Sequence, residues 1–264
     1  MSFYPVLSAP GCSGRTTLYN FAPNNWEEVR RASRTVYVTW TDGGSWRSYL
    51  LGELAWGQSR CVFSEELDRI VPRGALPLLS LTDSELPAQS ALLPDFGAHR
   101  TSSPAWRSTL ELVSALGASS AYQGEIDPFP SPGSLLTFGH FLQFGVDTEN
   151  KLLFLNLEKK PQVRKAHLEL RDAAHPEKLH RRVEVRSNAC NIVPLDWPGL
   201  SEEVLPLIIC RQMSGIPLYF SSAQSGAYLS LEHSHPPASS VILGRRWEAQ
   251  RILKRIWFEK IVSE

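Results

Sequence analysis

A chain of 264 residues that is 42% hydrophobic and 20% charged has enough apolar material to build a core, which excludes a disordered polypeptide. Its 27 basic and 27 acidic side chains cancel, so overall charge steers it neither to nucleic acid nor to an anionic membrane. No run approaches the roughly 18 consecutive apolar residues of a spanning helix. Met1 to Pro5 lacks the basic-then-apolar order of a secretory signal. Cys12, Cys61, Cys190 and Cys210 show no paired spacing. A soluble, cytoplasmic protein with reduced thiols is expected, with neither nucleic acid nor membrane as a partner.

In chain order, Phe3 to Ala9 is an apolar run suited to a strand, followed by the glycine-rich turn Gly11 to Thr17. Backbone N–H groups in such a turn can cradle an anion. The spacing is not that of a Walker phosphate loop. Pro10, Ser13-Gly14 and Thr16-Thr17 resemble the phosphosulfate-binding loop of sulfotransferases, with Arg15 as an insertion, which implies an anion or sulfonucleotide site. Asn25 to Arg31 has the cap and first-turn acids of a short helix. Val36 to Thr41 and Ser45 to Leu51 flank Asp42-Gly43 and predict a hairpin. Ser64 to Leu67 predicts a helical turn, and residues 72–104 predict irregular structure with one strand near Leu76 to Leu81. Ser103, Pro104 and Gly117 bracket a predicted helix whose apolar positions are Leu110, Val113 and Leu116.

Asp127 to Gly133, with three prolines, is the predicted boundary. Residues 1–126 then form an irregular α+β region and 134–264 a second region, or the two form one continuous domain. After the boundary, short strands are predicted at Leu135–Gly145, Leu152–Leu157, Ala166–Arg171, Arg181–Val185, Asn191–Leu195, Leu205–Cys210, Ile216–Phe220 and Tyr228–His235. Regular turn signals between them point to an antiparallel β-sandwich. Arg245 to Val262 predicts an amphipathic helix that closes this part. The fold class is mainly β, α+β overall.

Three chemistries are open. Trp40, Trp46 and Trp56 cluster around the hairpin and can offer a stacking platform for a sugar. This is the basis for expecting a binding or assembly module that engages a carbohydrate or a protein. His233 and His235 alternate onto one strand face about 6.6 Å apart, and His140 is placed inward on its own strand. Together they are the candidate ligands of a divalent metal, and with it an enzyme. The histidine pair resembles the cupin motif, but one residue too many follows Gly226 and Ser239 or Ser240 stands where the glutamate belongs, so that family is not assigned. The turn at 11–17 is the third site. Cys12 as a nucleophile and Glu125 with Asp127 as paired carboxylates are further, weaker candidates.

Overall fold

The computed structural model describes residues 3–21, 31–94, 108–122, 124–233 and 246–262. Turn residues cut the first part of the chain into short strands. They are β1 (Tyr4–Pro5), β2 (Cys12–Tyr19), β3 (Arg34–Thr41), β4 (Trp46–Leu54), β5 (Ser59–Phe63), β6 (Leu78–Thr82), β7 (Gln89–Ser90), β8 (Ser108–Ser114) and β9 (Ser119–Tyr122), with the helical turn α1 (Ser64–Leu67) after β5. The second part forms β10 (Leu135–Phe138), β11 (Thr148–Asn156), β12 (Lys165–Asp172), β13 (Leu179–Arg186), β14 (Ala189–Pro194), β15 (Pro206–Cys210), β16 (Ile216–Ala223) and β17 (Leu229–His233), followed by helix α2 (Arg246–Val262). Among the described residues every strand pairing is antiparallel.

Of the predicted helix at Pro104–Leu116, Ser108–Ser114 is strand and Ala115 and Leu116 begin a turn. Leu110 and Leu112 alternate with Thr109, Glu111 and Val113, and β8 lies between β2 and β9. Leu110 and Val113, three apart, fit a helix, whereas Leu110 and Leu112, two apart, fit one face of a strand, and the two flanking strands decide the outcome. Of the predicted Asn25–Arg31 helix, residues 25–30 lie outside the described residues. The strand expected over Phe3–Ala9 shrinks to β1, and that over Leu135–Gly145 stops at Phe138.

The strands form four sheets, and the two parts follow one plan. The first sheet runs β1-β6-β3-β4-β7 and the third runs β10-β15-β12-β13. The second runs β5-β2-β8-β9 and the fourth β14-β11-β16-β17. Replacing each strand of the first part by its counterpart in the second reproduces the order, with β7 as an addition. The N-terminal part is therefore a sandwich of the same topology as the C-terminal part, built as a tandem pair. Each sandwich has its own filling. Val36, Val38, Leu79 and Leu81 meet Leu18 and Val62 in the first; Leu168, Leu170 and Ile208 meet Leu152, Phe154 and Tyr219 in the second.

Matching residues carry matching roles. Asn20 follows β2 and Asn156 ends β11, and both are buried. Asn20 Nδ2 donates to Leu54 O at 2.8 Å, while Asn156 Oδ1 accepts the Asn188 N–H at 3.0 Å. Each thereby ties its strand to the connection leading into β5 or β14, where open backbone groups need partners. Asp42 follows β3 and Asp172 is the last residue of the equivalent strand β12. Each accepts the backbone N–H two residues on, from Gly44 and Ala174, at 2.9 Å.

A third core joins the sandwiches. Trp46, Leu78, Leu110, Leu112 and Ile126 of the first part pack with Leu153, Leu155, Leu218, Phe220, Leu229 and Leu231 of the second. Polar contacts converge on the segment after β11. Lys159 O accepts from Leu93 N at 2.8 Å and Trp46 Nε1 at 3.0 Å, and Pro161 O accepts from Thr41 Oγ1 at 2.9 Å. Helix α2 lies against β10: the Trp257 ring is 5.3 Å from Phe138, and Lys254 Nζ donates to Ser134 O at 2.6 Å.

Candidate functional site

Of the three histidines expected to share a metal, His140 and His233 lie on opposite sides of the fourth sheet. In β17, Leu229 and Leu231 face the joining core, and His233, two residues on, shares their side. It pairs with Leu218, another residue of that core, and its ring lies 5.4 Å from Tyr122. His140 follows β10 in the opposing sheet. It is exposed, and its ring neighbours are Phe138 and Phe141. Phe141 in turn lies 6.2 Å from Tyr219, which faces the other side of the fourth sheet. The inward placement expected for His140 fails because β10 ends two residues earlier, at Phe138. His235 lies outside the described residues. Among the described residues no group of three His, Cys, Asp or Glu side chains is placed to hold a metal.

The tryptophans do not make a common platform. Trp40 and Trp46 stand on opposite faces of the first sheet, because Trp46 pairs with Thr41, the neighbour of Trp40. Trp46 is 1% exposed and fills the joining core. Trp40 packs half-buried on the first sandwich core. Trp56 sits half-buried in a turn, with the buried Arg34 guanidinium 5.8 Å from its ring. Pleating told which face each residue takes; it could not tell that the face of Trp46 is covered.

The turn at 11–17 is mostly strand. Cys12 to Thr17 pair with β8, and Arg15 to Thr17 also pair with β5, so these residues open no helix toward an anion. Arg15 is held by both oxygens of Glu111, at 2.7 and 2.9 Å. Gly14 is required by packing: a Cβ there would fall 1.3 Å from Leu7 O. Burial raises the Cys12 thiol pKa and pushes Cys190 up to about 12, which disfavours thiolate chemistry at either. Asp127 is exposed and Glu125 half-buried, flanking Ile126 in the joining core.

The exposed apolar side chains point elsewhere. Three connections meet at one end of the molecule. The β8–β9 turn carries Leu116, 69% exposed, and the β16–β17 turn carries Tyr228, 40% exposed. The loop before β11 carries Phe144 and Val146, the latter fully exposed. The connections are tied together. Ser114 Oγ donates to Gly226 O at 2.6 Å, across the two sandwiches, and Gln224 N donates to Asp147 O at 2.8 Å. Asn150 grips the third loop, with Oδ1 accepting Gln143 N at 3.0 Å and Nδ2 donating to Gln143 O at 2.8 Å. Gly117 and Gly226, at φ +86° and +76°, take the left-handed conformation these turns need. Residues 114–118, 143–149 and 223–228 contain Asp147 and Glu149 and no Lys or Arg. Lys151 nearby is largely covered and pairs with Glu149 at 2.6 Å, which holds that carboxyl below its usual range. This end thus carries four exposed apolar side chains and two carboxylates, one of them paired with Lys151, on hydrogen-bonded loops. Exposed apolar side chains on ordered loops are the kind of surface that can bind a partner.

No family model, curated protein or solved structure matches this chain. Among the described residues, no helix is long and apolar enough to cross a membrane.

Proposed function

We propose that the protein is a binding or assembly module whose partner is a protein segment presenting apolar side chains beside basic ones, engaged at the three-loop end. The observation that carries this reading is the grouping of Leu116, Phe144, Val146 and Tyr228 on three connected loops, with Asp147 and Glu149 as the charged groups of those loops. Scattered exposed apolar residues are ordinary, whereas a group at one end drawn from both sandwiches marks an interaction surface. A protein is favoured over a carbohydrate because the burial of Trp46 removes the proposed stacking platform. A photo-reactive benzoylphenylalanine at position 146 tests the site. A specific protein adduct that Leu116→Asp abolishes supports it. Equal labelling from position 50 on β4, also exposed and apolar, or no adduct at all, contradicts it.

A further inference from the structure

Among the described residues, a second exposed apolar surface lies on α2. Lys254, Trp257 and Phe258 face the protein: Lys254 reaches Ser134 O, Trp257 meets Phe138, and the Arg211 guanidinium lies 4.7 Å from the Phe258 ring. Ile252 and Ile256, one turn apart, are each 42% exposed. Between and beyond them run Arg255 and Glu259, about 70% exposed and paired with each other at 3.7 Å. Lys260 is also exposed, with its ammonium over the Trp257 ring at 4.7 Å. The helix sequence adds Arg246 and Arg251, so its charge is basic.

The helix, with five basic and two acidic residues and its two half-exposed isoleucines, has the complement of a loop end whose segments hold Asp147 and Glu149 and no Lys or Arg. The two surfaces are also neighbours, because the chain leaving Phe138, against α2, runs directly into the loop of Phe144 and Val146. We propose that α2 of one copy docks on the loop end of a second copy, and that a two-fold arrangement returns the contact. A closed dimer needs such a self-complementary surface, in which one residue meets another and is met by it. Asp147 and Glu149 would approach Arg255 and Lys260, and Ile252 and Ile256 would cover Val146 and Leu116. This deepens the loop-end reading and rests on it.

Sedimentation of the full chain over a range of concentrations tests the proposal. Wild type is expected to dimerise reversibly, and less so at high salt. Val146→Asp and Ile256→Asp are each expected to weaken dimerisation about tenfold or more, while each monomer keeps the wild-type β-rich circular dichroism spectrum and melts cooperatively at dilutions where wild type is also monomeric. Asp147→Lys and Arg255→Glu should each weaken it alone, and mixing those two variants should restore association between them. A wild-type chain that stays monomeric overturns the self-docking and leaves the loop end to be judged by cross-linking at 146. A dimer indifferent to Val146→Asp, or charge variants that fail to rescue each other, overturns it as well.

Discussion

The second and fourth sheets hold the same place in the shared plan, yet their outer faces differ in kind. In β11, Leu152 and Phe154 face the C-terminal sandwich core while Leu153 and Leu155 face the joining core, so the strand is apolar on both sides. In the matching stretch of β2, Thr16 and Leu18 are buried while Arg15, Thr17 and Tyr19 form a half-exposed face crossed by the Arg15–Glu111 pair. The difference teaches how one sandwich was made to carry another. Apolar side chains were placed on the outer face to be covered, and polar ones on the face that ends the array. A terminal unit needs such a polar cap if it is not to recruit further units.

Equivalent positions allow this contrast to be broken. Leu153→Asp places a charge in the joining core and is expected to cost about 4 kcal/mol or more, enough to unfold much of the chain. Thr17→Asp, at the matching position, is expected to change stability by about 0.5 kcal/mol or less. Denaturant melts of the two variants make the comparison directly; similar losses would show that the outer faces are not used differently. Trp46→Ala should follow, at about 3–5 kcal/mol, since it empties a buried site and leaves Lys159 O with one donor fewer. Trp40→Ala, half-buried, should cost clearly less.

Asn20→Ala and Asn156→Ala test the equivalence itself. Each strands buried backbone groups, and each is expected to cost about 1–3 kcal/mol. A large loss for one and none for the other would mean that the shared plan does not extend to these side chains. The smallest effect concerns β13. Between Leu170↔Arg181 and Arg171↔Leu179, His180 is the extra residue of a bulge and stacks on Trp197 at 5.3 Å. Burial, aided by Lys178, lowers its pKa below 6.5. The unfolded chain therefore binds the proton more readily, so this residue's contribution is complete above 6.5 and falls away as pH drops through that value toward the folded pKa. His180→Phe should flatten the stability profile in that window and leave it unchanged at pH 8.

Much of the C-terminal sandwich was legible, because Ala166, Leu168 and Leu170 alternate with Lys165, His167 and Glu169 and so mark one wet face and one dry. The shared plan was not. It survives in a few side chains, such as Asn20 with Asn156, Arg34 with Arg164 and Asp42 with Asp172. The equal spacing of Arg34 to Asp42 and Arg164 to Asp172 was the available signal. Arg34 and Arg164 also show why it is faint. One is buried against Asn20 and Trp56; the other is half-exposed on Glu158. The loop end was hidden for a different reason. Whether Val146 is covered depends on partners distant in sequence, and an apolar run before a turn reads as a strand until its neighbours are placed. Trp46 failed the same way in the opposite sense, since its cover lies 113 residues along the chain.

The two sandwiches form one body through Trp46, Lys159 and the leucines of the fourth sheet. Calorimetry of the intact chain tests this most directly. One transition is predicted, with calorimetric and van't Hoff enthalpies in agreement, resolving into two when Trp46 is replaced by Ala. Two independent transitions in the wild-type protein, or one unaltered transition in the Trp46→Ala variant, would contradict it.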